Sequence, residues 1–594
     1  MVQERSSGQV ILRKQKAGLS PILIVCLAVI SYGRIYFFHD IVWDDNCWLL
    51  AAYTSGNLEQ FLNTGFYELR RVPMGTFLYY LLSLHKTTNH AYLIWHSINI
   101  AVQVLTPVIL YLFLKNLLIK RAALSFFIAI CFIIFPLDYT LPYLTVTSYR
   151  IAILLTIISF YLLVKALIKE NTNIYLFFIS IIVSGISYYI FMETTVVFEP
   201  ARMLIIGYLL YNKGVSRDIL IKRATLLWLP FLLCSIPLII YKLLIKPYGI
   251  YDGVYKTNLL FFFDWKAHRA ILKILLLHEW KTLLKYIRDV RGLSIILGFF
   301  SIIFCFFMLK EIFSIFRTKN VGDSGILFMV GKRFEYKIDS AIFVLLLGIV
   351  LLIPQVVLLE FAGREISFGM NSSHFIPLQI GYSVIMGCLL YYFYSLKYLR
   401  DHLLRLLLSF IIGLGVFFNN LNLDMHFNSW ERQNKFWRAF TTRFPSLPEN
   451  ATFMMDVRDF YFYEATDLDN AYDLEFILNL LYANSKRPED FRKYKVFPLE
   501  EFRPEMADRF RCNQVNEERL ERVTHFGKDA LNPCEFIIVY YRDGKLLVNR
   551  EIKEMLPDIS YREWLKNDFP VLPDKPAAYP LRYKLKGFSD GNAL

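Results

Sequence analysis

Long apolar blocks, almost free of charge, are the feature that most constrains how this chain can fold. The first block, residues 19–38, has the length of a helix that crosses a bilayer core at about 1.5 Å per residue. No small-residue cleavage site follows it, so we predict a membrane helix and not a signal peptide. Similar blocks follow at 91–114, 121–137, 148–167, 173–190, 194–212, 223–245, 292–310, 339–359, 375–395 and 402–420.

The composition agrees with these blocks. The chain is 56% hydrophobic and 17% aromatic, and only 20% of its residues are charged. A soluble protein of this size would carry more charge and fewer aromatic residues. We therefore predict an α-helical polytopic membrane protein with about eleven transmembrane helices.

Basic residues predict the orientation, because cytoplasmic connections of membrane proteins are enriched in Lys and Arg. Arg13, Lys14 and Lys16 precede the first block, which places the N-terminus in the cytoplasm. Every second connection after it is basic, and an odd number of helices puts the tail on the extracytoplasmic side. The Lys-, Ile- and Phe-rich composition is typical of bacteria. We therefore expect an inner-membrane protein whose tail is periplasmic.

Charge is divided unevenly along the chain. The net charge is +14, yet residues 424–594 contain 26 Lys and Arg against 29 Asp and Glu. The positive charge therefore belongs to the membrane half, where it reflects topology and contact with anionic membrane lipids. No basic patch with interleaved aromatic residues occurs in the tail, so we expect no nucleic-acid partner.

The tail predicts a second domain. We place a transmembrane domain at 1–423 and a small extracytoplasmic α/β domain at 424–594. Residues 428–443 are helical in pattern, and a strand-like ATFMMDV follows. Residues 536–549 form a hairpin pattern with Asp543 and Gly544 as its turn.

Two cysteines, Cys512 and Cys534, lie in the tail. In an oxidising compartment they can form a disulfide, and the alternative is two buried thiols. No cysteine or histidine spacing indicates a zinc site.

Polar residues gather in the predicted extracytoplasmic loops. Asp44 and Asp45 follow the first helix, and adjacent carboxylates near a membrane surface suit a general base or a metal ligand. The alternative is a solvated loop or a helix cap. The same loop contains Glu68, Arg70 and Arg71. Arginine is a good phosphate ligand, because its planar fork matches phosphate oxygens.

Further polar groups follow on the same predicted side. Glu199 and Arg202 are spaced i,i+3, so they can pair inside the membrane, and a structural salt bridge is the favoured interpretation. The remaining candidates occupy the loop starts and helix ends: Asp138, Arg150, Glu193, Arg364 and His374. Together these clusters predict a polar site above a helix bundle, with carboxylates for base chemistry and arginines for an anionic headgroup.

The order of these motifs resembles the glycosyltransferase C superfamily, whose members use polyprenyl-phosphate sugars. Asp44 and Asp45 stand where that superfamily has a paired acidic motif in its first external loop. The closest resemblance is to bacterial relatives of the tetratricopeptide-tailed O-mannosyltransferases. Segments of that branch are matched by ELRRVPMGTFLYYLL, by His96 and Asn99, by Pro136 and Arg150, by Met192 and Glu193, and by His374 and Pro377.

The sequence departs from that branch at several positions. Val72 separates Arg71 from Pro73, Phe135 stands for a His, and His374 stands for a Tyr. The tail has no tetratricopeptide repeats, so the resemblance does not identify the acceptor, which can be a glycan, a lipopolysaccharide or a protein.

The resemblance implies an inverting transfer from a polyprenyl-phosphate-linked sugar to an extracytoplasmic acceptor. Asp44 or Asp45 would deprotonate the acceptor, and Arg70, Arg71, Arg150 or Arg364 would bind the donor phosphate. Glu68, His96, Asp138, Glu193 and His374 are further site candidates. The sequence leaves open whether a divalent cation bridges Asp45 and the donor phosphate.

Two other classes of function are weighed against this one. A lipid-linked sugar flippase or transporter predicts inverted repeats and helices broken at the midplane, which the sequence does not show. The carboxylates and arginines in the loops argue against a non-catalytic membrane scaffold.

Overall fold

The computed structural model describes residues 19–38, 44–64, 71–86, 88, 90–118, 121–135, 138–169, 171–244, 284, 287, 290–320, 340–361, 373, 375–395, 401–456, 471–482, 487, 490–498, 520–524, 527–531, 536–542 and 545–548.

These residues are mostly helical. In chain order the helices are α1 (Leu19–Tyr32), α2 (Asp44–Thr54), α3 (Leu58–Asn63), α4 (Val72–Leu82), α5 (Ala91–Leu117), α6 (Ala122–Ile134), α7 (Leu144–Leu167), α8 (Ile174–Ile186), α9 (Glu199–Asn212), α10 (Arg217–Leu244), α11 (Gly292–Asn320), α12 (Ser340–Phe361), α13 (Phe375–Ser395), α14 (Asp401–Arg443) and α15 (Ala471–Tyr482). A 3-10 helix, Gly33–Phe37, extends α1. A π-helical turn, Ser187–Phe191, extends α8, and a second 3-10 helix, Glu193–Phe198, leads into α9.

Nine helices in the described part of the chain are long and apolar enough to cross a membrane: α1 with its extension, α5, α7, α8 with its extension, α10, α11, α12, α13 and α14. The prediction of an α-helical, multi-pass membrane protein is therefore confirmed. The two other predicted blocks, 121–137 and 194–212, form the shorter helices α6 and α9. The count of eleven spans stays a prediction.

Helix α6 is short and lies at the buried centre of the bundle. Twelve consecutive residues, Ala123–Ile134, are buried, and α1, α5, α13 and α14 pack around them. Two neighbours approach it through glycines. A Cβ on Gly387 of α13 would lie 2.6 Å from Cα of Ile128, and one on Gly415 of α14 would lie 2.6 Å from the carbonyl oxygen of Ile134. Small residues allow such close backbone packing of membrane helices.

Helix α14 is longer than its apolar block. It runs without a break from Asp401 to Arg443, about 64 Å at 1.5 Å per residue. The predicted helix at 428–443 is thus the end of the membrane helix itself, and the helix continues through the predicted domain boundary at 423/424. That boundary stays a prediction.

A four-stranded sheet follows α14. Its strands are β1 (Thr452–Asp456), β2 (Lys495–Pro498), β5 (Phe536–Arg542) and β6 (Lys545–Val548), in the order β2-β1-β5-β6. Strand β1 is parallel to β2 and β5, with α15 in the β1–β2 crossover, while β5 and β6 are antiparallel. The strand ATFMMDV and the hairpin at 536–549 are therefore confirmed, although the turn, Asp543 and Gly544, lies outside the described residues.

A separate antiparallel pair consists of β3 (Leu520–Thr524) and β4 (Gly527–Leu531). The four-stranded sheet packs on the end of α14, where Phe436, Trp437 and Phe440 share a hydrophobic cluster with residues of β1 and α15. Cys512 and Cys534 lie outside the described residues, so the predicted disulfide stays a prediction.

Candidate functional site

Polar side chains meet at one end of the helix bundle, where the α6–α7 connection crosses the middle of α14. Asn422 Nδ2 donates to the carbonyl of Asp138 at 3.1 Å, and His426 Nε2 donates to the carbonyl of Tyr139 at 2.9 Å. Both acceptors belong to the connection that leads into α7. The α6–α7 connection, which contains the predicted site residue Asp138, is therefore held against α14.

Asp45 is fixed to the start of α7. Its Oδ2 accepts the backbone N–H of Leu144 at 2.6 Å, and its Oδ1 accepts that of Thr145 at 2.8 Å. The first amides of a helix have no partner within the helix and carry a partial positive charge, so a carboxylate is stabilising there. Asp45, which lies about a hundred positions earlier in the chain, therefore caps α7 and attaches α2 to it.

The pKa of Asp45 reflects two opposing effects. Its side chain is buried, at 3% exposure, and this burial is the main reason why the pKa is raised from the ordinary 3.8 to about 6. The hydrogen bonds from Thr145 and Leu144, with the nearby charge of Arg150, lower the pKa and only partly offset that rise. Because both carboxylate oxygens already accept backbone hydrogens, Asp45 is better suited to holding α2 in place than to removing a substrate proton.

Asp44 is the first residue of α2 and directly precedes Asp45. Its backbone position is therefore set by the attachment of Asp45 to α7. Among the described residues, no group of three or more His, Cys, Asp and Glu side chains is placed to hold a metal ion.

Arg150 and Asp138 form what we term the closed cluster, together with Asn99 and Thr140. Arg150 Nε and Nη2 lie 2.8 and 2.7 Å from Asp138 Oδ2. Nη1 donates to Asn99 Oδ1 at 3.1 Å, and Nη2 also donates to the carbonyl of Thr140 at 2.6 Å. All three guanidinium nitrogens are thus engaged, and the Arg150 side chain is only 4% exposed. The structure makes Arg150, predicted to bind phosphate, an internal brace of the α6–α7 connection.

Arg71, Glu193 and Tyr149 form the open cluster. Arg71 Nη2 lies 3.3 Å from Glu193 Oε1, and Nη1 lies 3.5 Å from the hydroxyl of Tyr149. The side chains of Arg71 and Glu193 are 30% and 23% exposed. The structure therefore brings together two predicted site residues from segments 122 positions apart and leaves both accessible.

The open cluster adjoins Asp45 through α7. Tyr149 lies four residues after Thr145, whose amide Asp45 accepts, and residues spaced i,i+4 are neighbours on a helix surface. Glu193 begins a 3-10 helix directly after the π-helical turn at Ser187–Phe191. Such turns are found often at functional sites.

His96 lies in the interior of the helix bundle. It is buried in α5, and its ring lies 6.2 Å from the ring of Phe38. Asn99, one turn further along α5, donates to the carbonyl of Leu141 at 2.5 Å and accepts from Arg150. The two helix residues named by the resemblance are thus interior residues, and Asn99 belongs to the closed cluster.

The Glu199–Arg202 pair is confirmed as a buried salt bridge, with Arg202 Nε 2.9 Å from Glu199 Oε1. Glu199 also accepts from the hydroxyl of Tyr188 and from Trp228 Nε1. Arg202 donates to Ser159 and Ser184, at 2.9 and 2.7 Å. The pair joins α7, α8, α9 and α10. Both carboxylate oxygens and all three guanidinium nitrogens have hydrogen-bond partners, which fits a structural role.

A second buried pair was not predicted. Arg34 Nη2 lies 2.7 Å from Asp424 Oδ1, which joins the end of α1 to α14. Asp424 Oδ2 accepts from Ser294 and from the backbone of Arg291. The available signal was the presence of charges at the ends of two apolar blocks, but spacing alone cannot pair residues 390 positions apart.

The other predicted site residues lie outside the described residues: Glu68, Arg70, Arg364 and His374, and also the side chain of Asp44. No protein-family model matches the chain, and no curated protein or solved structure is significantly similar to it.

Proposed function

We propose that this protein is a membrane glycosyltransferase that moves a sugar from a polyprenyl-phosphate-linked donor to an extracytoplasmic acceptor, with inversion. The observation that carries the proposal is the open cluster. It offers an accessible arginine at the end of an apolar bundle, next to the helix that begins with two adjacent carboxylates. A lipid-linked phosphate needs these surroundings, because its chain lies in the bilayer and its charge at the surface.

Asp44 is the proposed general base, and Asp45 is the residue that positions it. The acceptor hydroxyl gives its proton to Asp44, and its oxygen bonds to the anomeric carbon. The bond from that carbon to the phosphate oxygen breaks, and polyprenyl phosphate leaves. Arg71 stabilises the charge that develops on the leaving phosphate. The hydrogen bonds that engage both oxygens of Asp45 support this division of roles between the two carboxylates.

The orientation belongs to the same proposal. If α6 and α9 complete eleven passes, the open cluster, Asp45 and the closed cluster all lie at helix ends on the extracytoplasmic side. A 13-residue helix spans only about 20 Å, so α6 can serve as a pass only inside the bundle, where other helices pack around it. A reporter that is active only outside the cytoplasm, fused after Leu594, tests this side of the membrane.

The activity test uses purified protein in lipid nanodiscs, a set of polyprenyl-phosphate donors labelled in the sugar, and a cell-envelope fraction as the source of acceptor. We expect labelled sugar to move into the acceptor fraction. Asp44→Asn removes the base and should lower the rate by about 10²–10⁴ without a change in unfolding temperature. Glu59→Gln is the matched control, because it removes an exposed carboxylate of the neighbouring helix α3.

Full transfer activity in the Asp44→Asn protein would exclude Asp44 as the base. If the wild-type protein transfers no sugar to any acceptor but moves the intact donor across a bilayer, the protein is a flippase and the proposal is wrong.

A further inference from the structure

Helix α15 of the tail has two buried faces. Leu474, Ile477, Leu478 and Leu481 pack in the cluster that contains the sheet and the end of α14. Phe476 and Leu480 belong to a different cluster, which contains residues of α2, α4 and α5. Phe476 and Leu480 are spaced i,i+4 and therefore share one face of the helix. Helix α15 thus lies between the sheet of the tail and the loop helices, with one face toward each.

Helix α2 is held from two directions. At its start, Asp45 accepts the first amides of α7. Along its length, Cys47, Leu50 and Ala51 are buried in the same cluster as Phe476 and Leu480. An isolated helix of 11 residues is marginal in water, so the order of α2 depends on such tertiary packing.

We propose that Phe476 and Leu480 are positioning residues for the transfer reaction: the tail sets the placement of α2 and hence of Asp44. This inference rests on the proposed function of Asp44. It gives the tail a part in assembling the site, because the packing of α15 against α2 opposes movement of the residue that begins α2. Neither residue need touch donor or acceptor.

Cys47 provides a reporter of this packing that does not depend on activity. Its side chain is fully buried in the cluster between α2 and α15. Alkylation of native protein, followed by peptide mass spectrometry, measures how often that cluster opens. In the Phe476→Ala/Leu480→Ala protein, we expect Cys47 to be alkylated at least about tenfold faster than in wild type, because two apolar contacts are lost.

Transfer kinetics provide the second readout. A misplaced base lowers kcat, whereas Arg71 lies at the start of α4, which α15 contacts less than it contacts α2. We therefore expect kcat to fall by about tenfold or more with little change in the donor KM. Phe476→Leu retains an apolar side chain, so both Cys47 protection and kcat should stay close to wild type. This single variant also keeps the inference testable if the double variant does not fold.

Leu478→Ala is the matched control, because it truncates the same helix on the face that packs against the sheet. We expect it to leave Cys47 protected. Equal exposure of Cys47 in the control would mean that the whole tail loosens, and would overturn the inference. Unchanged labelling and unchanged kcat in the double variant would overturn it as well. If wild type transfers no sugar, the proposed function fails, while faster Cys47 labelling would still establish the packing.

Discussion

The closed and open clusters contain two arginines for which the sequence predicted the same role. Arg150 is 4% exposed and donates from all three guanidinium nitrogens to groups of the protein, whereas Arg71 is 30% exposed and pairs with a carboxylate that is itself accessible. The difference shows that an arginine at a helix end becomes a candidate ligand-binding group only when burial and internal partners leave it within reach of a ligand.

Energetics separate the clusters further. A phosphate could bind Arg150 only by displacing Asp138, which would leave a buried carboxylate without its counter-charge, a change of several kcal/mol. A phosphate that binds Arg71 instead competes with Glu193, whose side chain is already partly solvated, so separating the two charges costs less. The exchange of one anion for another is therefore feasible only in the open cluster.

The largest expected effect is the loss of stability on breaking the closed cluster. Arg150→Met leaves Asp138 buried and unpaired, and should lower the free energy of unfolding by about 3–5 kcal/mol. Arg150→Met combined with Asp138→Asn removes both charges and should be the more stable of the two. Thermal unfolding in detergent and yield in membranes measure both. An Arg150→Met protein that unfolds like wild type but no longer binds donor would reverse the assignment.

The next largest effect is expected from a substitution in the open cluster, and it should act on activity and not on stability. Arg71→Ala removes a partly exposed side chain, so the fold should survive. A hydrogen bond to a charged group contributes about 1.5–3 kcal/mol, which corresponds to roughly ten- to a hundredfold in kcat/KM for the donor. Steady-state kinetics with labelled donor measure it. Arg438→Ala, at an exposed arginine of α14, is the control and should behave as wild type.

Should Arg71→Ala unfold at a much lower temperature than wild type, the open cluster would be structural after all. The contrast between the two arginines would then disappear.

The fold was largely predictable because membrane helices are marked by length and apolarity. Nine of the predicted blocks became helices long enough to span a membrane, and the strand at 452–456 and the hairpin pairing of β5 with β6 follow the sequence pattern. The extent of α6 was not predictable. Its residues face protein on every side, and a protein interior and a bilayer both select apolar residues, so the sequence does not distinguish them.

The candidate site was predictable only where its contacts are local. The pairing of Glu199 with Arg202 follows from helical spacing. The hydrogen bonds of Asp45 to Leu144 and Thr145, the pairing of Arg71 with Glu193, and the pairing of Arg34 with Asp424 join distant segments. Local periodicity contains no information about which loops meet, so the sequence alone could not show that Asp45 binds the start of α7.

The smallest expected effect is a pH dependence from Asp45, which is buried like the closed cluster but adjoins the open one. Its folded pKa of about 6 lies above the ordinary 3.8, so the folded protein holds the proton more tightly than the unfolded chain does. The free energy of unfolding contributed by Asp45 therefore falls as pH rises from about 4 to about 6, by at most about 1.4 kcal/mol per pH unit, and is constant above that range.

The Asp45→Asn protein has no such pH-dependent contribution, because an amide does not titrate. Its NH₂ group also faces a backbone N–H that donates to a carboxylate oxygen in wild type. The variant should thus be less stable than wild type, with the larger deficit at pH 4.5 and the smaller at pH 7.5. Unfolding temperatures of both proteins across that range, with Glu59→Gln as the control, measure the difference. Parallel pH profiles for wild type and Asp45→Asn would show that Asp45 is ionised throughout, because the amides of Leu144 and Thr145 would then outweigh its burial.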